Sequence, residues 1–158
     1  GAPAFHAGAC FQRFENVILG VEPTGAADYL DLDAARAQVQ QINDSYGMEV
    51  PSDALIENLP VGIQQRVEIL KVLFRSADVL ILDEPTQGLA DSEIADFIAL
   101  IRSLAGEMTI LLIEHNINVV MQTADAITVL NSGQVLAEGT PDEIRANAAV
   151  QAAYLGTG

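Results

Sequence analysis

An α/β fold is written into the order of patterns along this chain: a helical block comes first, then strands and helices alternate as a parallel sheet with an antiparallel edge hairpin. Two short apolar runs, "VLIL" at residues 79–82 and "TILLI" at Thr109–Ile113, have the pattern of strands covered on both faces. Between them, residues 91–105 carry Ile94, Phe97, Ile98, Ile101 and Leu104 at helical spacing. Beyond them, "AITVL" and "QVLAEG" flank Asn131, Ser132 and Gly133, a hairpin turn with glycine where positive φ is favoured.

The remaining elements follow in order. Residues 1–14 show no clear period and stay unassigned. "ENVILGV" is a short apolar helix and "EPTGAAD" a loop. Over residues 31–46, Leu32, Ala35, Val39, Ile42 and Tyr46 recur on one helical face, and Gly47 supplies a stop. "DALIENL" reads as a short helix. Residues 63–75 put Ile63, Val67, Leu70 and Phe74 on one face, with Arg66 and Lys71 elsewhere. "INVVMQTA" is a further short helix. Thr140, with Pro141 at the first helical position and Glu143 three residues on, starts a helix expected to run to Leu155. The chain therefore divides into residues 1–14, a helical subdomain at 15–76, and a strand–helix series at 77–158.

Composition removes several function classes. With 22 acidic residues against 7 basic and a net charge of −15, the chain lacks the clustered cations that displace counterions from nucleic acid, so nucleic acid is not an expected partner. The acidity reads as solubility. The longest apolar runs fall far short of the roughly 18 residues of a membrane span. No basic start precedes an apolar stretch, so no signal peptide is expected, and a beginning at Gly1-Ala2-Pro3 suggests a processed or cut end. Cys10 has no partner for an internal disulfide, which fits a reducing compartment. His6, His115 and one cysteine make no zinc pattern.

The chemistry sits in "VLILDEPTQGLAD". Asp83 and Glu84 follow a buried run directly, and ionised groups there are costly unless they hold something. A parallel strand ending in Asp-Glu presents both carboxylates at the sheet edge where α/β folds bind ligands. In nucleotide hydrolases the Asp holds Mg²⁺ and the next Glu faces the attacking water. The alternative is an Asp that caps the loop and a solvated Glu. Upstream, "LPVGIQQRVEILK" is a Gly-containing turn opening a helix, where backbone N–H groups bind anions. Downstream, "ILLIEHN" puts His115 just past the next strand, at the same edge as Glu84. Such a histidine is more often structural when it stands alone; as a third member of an ordered set it becomes a candidate donor to a γ-phosphate.

In order and spacing, "VGIQQRVEILK", "ADVLILDEPT" and "IEHN" resemble the ATP-binding subunit of an ABC transporter, from about Glu15 to Leu155. That resemblance implies a partial P-loop NTPase (RecA-like) core. Glu15-Asn16 is similar to the "EN" after the family's Q-loop, and Leu59, Pro60, Val61, Gly62 and Ile63 stand where it has LSGGQ. Asp83 is similar to the Walker B aspartate that holds Mg²⁺, Glu84 to the catalytic glutamate, and His115 to the switch histidine. The resemblance also implies ATP and Mg²⁺ as ligands. It implies a second ATPase subunit whose ATP the signature would meet, transmembrane permease subunits, and a cytoplasmic place on the inner face of the membrane. "VGIQQRVEILKVLFRSADVLILDEPT" is similar to importers of sugars and nucleosides, whereas the stretch from "LLIEHN" to "YLG" is similar to subunits serving branched-chain amino acids. Both point to an importer.

Several family features are missing or altered. The phosphate cradle G-x-x-x-x-G-K-[ST] is absent, because the only lysine is Lys71 in "EILKVLF". No Q-loop glutamine is recognisable, Gln12 lying too close to Glu15. Pro60 replaces the signature serine, Ile63 its glutamine, and Ala90 the D-loop aspartate, with Asp91 expected to cap the following helix. These changes leave room for a non-catalytic module that docks on a membrane subunit or a partner ATPase, and, as a third reading, for an unrelated α/β domain. A hydrogen bond to a charged group contributes roughly 1.5–3 kcal/mol. A ligand held at ~10 μM to 1 mM has only about 4–7 kcal/mol in total. Loss of the cradle removes at least that much, so this chain by itself is expected neither to hold Mg²⁺–ATP tightly nor to hydrolyse it. Titration calorimetry checks this: heats fitting a micromolar dissociation constant would refute it.

Overall fold

The structure, a computed structural model, describes Val17 and residues 32–51 and 58–155. Helix α1 spans Leu32–Ser45 and buries Ala35 and Val39. The chain leaves it through Gly47 at φ +57°, a conformation that costs glycine nothing. Asn43, itself buried, organises this exit. Its carbonyl accepts the Met48 N–H (3.0 Å) and its Oδ1 the Val50 N–H (3.1 Å), which turns Met48 and Val50 into the core. Helix α2, Val61–Phe74, starts after Pro60, whose ring pre-sets the entry and whose missing N–H would have had no helical partner there. Val67, Leu70 and Phe74 are buried along the expected face, with Ile63 packed against the same core. Arg66 ties the parts together, donating to the Met48 carbonyl (3.0 Å) and to Asp96 (3.2 Å).

Strand β1, Val79–Asp83, pairs in parallel with β2, Thr109–Ile113, in the register Val79↔Thr109 through Asp83↔Ile113. Helix α3, Asp91–Leu104, makes the crossover between them and buries Phe97, Ile98, Leu100, Ile101 and Leu104. Leu80, Leu82, Ile110 and Leu112 face the same core as α1, α2 and α3. Helix α4, Ile117–Thr123, then contributes Val119. Strands β3 (Ile127–Asn131) and β4 (Gln134–Gly139) form an antiparallel hairpin around Ser132 (φ 51°) and Gly133 (φ 77°), the paired positive φ values of a two-residue turn. Helix α5, Pro141–Ala146, opens with the expected capping box: Glu143 accepts the Thr140 N–H (2.8 Å) while Thr140 Oγ1 accepts the Glu143 N–H (3.4 Å). A smaller apolar cluster around Ile127, Ile144 and Val150 holds this end together.

The structure departs from the sequence expectations at several points. Among the described residues β1 and β2 are covered on one face alone: Val79, Ile81, Leu111 and Ile113 are between 50% and 63% exposed, alternating with the core-facing positions. An apolar run therefore stands here for a strand with one face open. Among the described residues β1 pairs with β2 alone, and the hairpin forms a separate two-stranded sheet rather than an edge of the parallel one. Asp91 is not the cap of α3. Ala90 occupies that place, and its N–H is satisfied by Glu93 Oε2 (2.8 Å). The last helix is broken at Asn147, in extended conformation; its Oδ1 accepts the Ala149 and Val150 N–H groups and restarts the chain as α6, Ala148–Val150, leading into a π-helical turn at Gln151–Leu155. Of "ENVILGV" only Val17, helical and buried, is described; residues 1–14, "EPTGAAD" and most of "DALIENL" lie outside the described residues.

The open sheet face is expected to drive self-association, visible as concentration-dependent sedimentation. Ile81→Thr combined with Leu111→Thr should suppress it while changing stability by about 0.5 kcal/mol or less per site, as surface changes do. Leu80→Ala, on the buried face, should cost about 2–5 kcal/mol in denaturant unfolding.

Candidate functional site

The site is built where β1 and β2 end. Because they run in parallel and in register, Asp83 and Ile113 finish side by side, and the next residues of both strands emerge at one edge. Glu84 turns sharply there with φ +46°. Its N–H donates to the Ile113 carbonyl (2.8 Å) and its own carbonyl accepts the Gln87 N–H (3.1 Å). A left-handed conformation at a non-glycine residue costs on the order of 1–3 kcal/mol, and such costs gather where function fixes a side chain. The turn continues through buried Pro85 and Thr86 to Gly88 at φ +81°. From α2, Gln65 Nε2 donates to the Pro85 carbonyl.

Across the edge, His115 places Nδ1 3.6 Å from Glu84 Oε1 and 3.8 Å from Glu114 Oε2. The sequence-predicted residues Asp83, Glu84 and His115 are thus brought together. The histidine and Glu84 side chains are 69% and 48% exposed, open to a ligand at this edge. The segment Leu59–Ile63 lies elsewhere, at the start of α2 beside the α3 entry. A Cβ on Gly62 would stand 2.8 Å from Glu93 Oε1 and 3.3 Å from Leu89 Cδ2, so a larger residue would make the Glu93 carboxylate that holds the Ala90 N–H shift. No side chain caps α2, because Pro60 has no hydroxyl.

Sequence reasoning missed Glu114. Its side chain is fully buried, yet it accepts the Thr86 N–H (3.0 Å), the Thr86 hydroxyl and the Asn116 N–H (2.7 Å). Burial pushes its pKa up; the Thr86 hydroxyl, the Asn116 and Thr86 N–H groups and nearby His115 overcome that and hold the carboxyl below its ordinary value. A signal was present. The inward positions Ile110 and Leu112 continue with period two to residue 114, which marks Glu114 as inward-facing. Asn116 was also passed over; its Oδ1 accepts the Asn118 (3.1 Å) and Val119 (3.4 Å) N–H groups as the cap of α4.

Among the described residues no group of three or more His, Cys, Asp or Glu side chains is arranged to hold a metal. Asp83 alone fits a cation that takes one carboxylate and fills its other positions with water and phosphate oxygens, as Mg²⁺ does. Among the described residues Lys71 is paired with Glu68 (2.7 Å) and Arg66 with Asp96 (3.2 Å), so neither is placed as a cationic cradle for a triphosphate.

A parallel strand pair with its crossover helix, an Asp-Glu tip facing a histidine, and a following antiparallel hairpin make the fold of P-loop ATPase cores. Residues 6–87 match the family described as ABC transporter, and residues 134–158 match that described as branched-chain amino acid ATP-binding cassette transporter. The chain is 44% identical over 125 residues to the nucleoside import ATP-binding protein NupA of Lactococcus lactis, covering 78% of this chain and 24% of that protein. It is 46% identical over 100 residues to the high-affinity branched-chain amino acid transport ATP-binding protein BraF of Pseudomonas aeruginosa, covering 62% of this chain and 39% of that one. Among solved structures it superposes on cbiO1 from Clostridium perfringens, part of the ABC transporter complex cbiONQ, with a TM-score of 0.73 at 28% identity, covering 92% of this chain and 57% of that one. The chain belongs to the ABC transporter ATP-binding family. It spans well under half the length of the two curated relatives named here. No helix among the described residues is long and apolar enough to cross a membrane.

The depressed carboxyl of Glu114 stabilises the folded state above its unfolded-state value of 4.5, and that gain is lost as pH falls through the lower folded-state value. Glu114→Gln should therefore lower unfolding free energy most near neutral pH, with the difference from wild type shrinking as the solution is acidified below 4.5. Denaturant unfolding at a series of pH values checks this; a difference constant with pH contradicts it.

Proposed function

We propose that this chain is part of the ATP-hydrolysing subunit of an ABC importer, in which ATP hydrolysis is coupled to solute uptake through membrane permease subunits. The observation that carries the reading is the approach of His115 Nδ1 to Glu84 Oε1, 3.6 Å, beside Asp83 at one strand edge. In this reading Asp83 is the protein ligand to Mg²⁺. When bound, Mg²⁺ neutralises charge on the β- and γ-phosphates. Glu84 orients and deprotonates the attacking water, and its fixed backbone keeps the carboxylate at the edge. His115 meets the γ-phosphate; with Nδ1 turned toward the carboxylates, Nε2 is the nitrogen left to do so. Leu59, Pro60, Val61, Gly62 and Ile63 face ATP held by a second ATPase subunit. The assembly works from the cytoplasmic face of the membrane. The names of the two curated relatives support an importer, with solutes among nucleosides and branched-chain amino acids. Without a phosphate cradle in its sequence, the chain alone does not turn ATP over.

One observation favours a second reading, a non-catalytic docking module. The start of α2 has no side-chain cap and offers no hydroxyl at Pro60 to a partner's nucleotide. The test joins the N-terminal segment of BraF ahead of this chain and measures Mg²⁺-dependent phosphate release. Hydrolysis that falls by about 10²-fold or more in Glu84→Gln supports the hydrolase. Absent hydrolysis in a folded chimaera, or turnover indifferent to Glu84→Gln, supports the docking module.

A further inference from the structure

The proposed hydrolysis makes no direct use of Glu114, the buried carboxylate of this edge. We propose that Glu114 is a positioning residue that staples the turn after β1 to the turn after β2, and so fixes Glu84 and His115 relative to each other. The role rests on the hydrolase reading for its purpose but not for its geometry. Thr86, two residues past Glu84, gives Glu114 Oε1 both its N–H (3.0 Å) and its hydroxyl; Asn116, next after His115, gives Oε2 its N–H (2.7 Å). Glu84 is thereby held between its own N–H bond to Ile113 (2.8 Å) and the anchored Thr86. His115 is held between Glu114 itself and the anchored Asn116, and its Nδ1 lies 3.8 Å from Glu114 Oε2. Gln65 fastens the intervening Pro85 carbonyl from α2, so the turn is gripped from both sides.

The residue type suits this work. The backbone around Glu114 presents N–H donors to both carboxylate oxygens, and a carboxylate is acceptor-only on both. Glutamine has the same shape, but it would aim an amide N–H at one of those donors. A hydroxyl at position 86 is needed as well as its backbone N–H, so serine can replace Thr86 and valine cannot.

The test is solution NMR on this chain. In the wild type, the Thr86 and Asn116 amides should exchange slowly, and a nuclear Overhauser effect should link the Glu84 side chain to the His115 ring. In Glu114→Gln, exchange should rise by roughly tenfold or more at whichever of the two amides faces the new side-chain NH₂. The Glu84–His115 effect should vanish, while amides of α3 stay unchanged. Should Glu114→Gln not fold, Thr86→Val should still free the pair, and Thr86→Ser should retain it. An unchanged Glu84–His115 effect in the variant overturns the proposal, as does equal acceleration of the α3 amides, which would mean general loosening. The BraF chimaera separates this from the hydrolase reading. There, Glu114→Gln should lower kcat by roughly 10- to 100-fold with little change in KM. A chimaera silent even as wild type would sink the hydrolase reading and leave the staple to stand or fall on the NMR.

Discussion

Parallel, in-register pairing of Val79–Asp83 with Thr109–Ile113 is the constraint on which the site depends. Parallel strands deliver their C-terminal residues to the same edge, whereas an antiparallel pair would put Glu84 and His115 at opposite ends. Register matters as much as direction. Side chains alternate along a strand, so a slip by one residue would turn Leu80 and Leu82 out of the core and Val79 and Ile81 into it. It would also break the Glu84–Ile113 hydrogen bond and carry Glu114 away from Thr86. The apolar core under α1, α2 and α3 therefore sets the register, and the register sets where Glu84 and His115 meet.

Much of this was legible in the sequence because the signals were local. Gly47, the Asn131–Gly133 turn and the Thr140–Glu143 box act through their own backbones, and each is where its residues say it should be. The meeting of Asp83, Glu84 and His115 at one edge was legible because strand ends and their spacing place them without knowledge of the core. What escaped depends on contacts distant in sequence. An apolar strand reads the same whether one face or both are covered, so the exposed row of Val79, Ile81, Leu111 and Ile113 could not be read from "VLIL" or "TILLI". Glu114 was hidden in a motif read for its histidine, since its donors include Thr86, 28 residues away. Ala90 as the cap of α3 ran against residue preference: it has no side-chain acceptor to offer the first helical N–H groups, and Glu93 instead accepts the N–H of Ala90 itself.

Two kinds of charge lie side by side at this edge and do different work. Glu84 and His115 are exposed, so a ligand can reach both. Glu114 is sheltered and fully engaged with N–H and O–H donors, which keeps its ionised form stable where an unpartnered carboxylate would be costly. The strained backbone of Glu84 is tolerated because bonds on either side leave it little alternative. Among the described residues, Lys71 and Arg66 are engaged with carboxylates of their own, and α2 begins without a hydroxyl.

The joint between the strands can be observed without any ligand. A through-hydrogen-bond scalar coupling between the Glu84 amide nitrogen and the Ile113 carbonyl carbon reports direction and register at the point where the site begins. A resolved coupling between those two atoms is expected. Coupling of the Glu84 amide to a different carbonyl, or none in a folded chain, would contradict the parallel edge and with it the meeting of Glu84 and His115.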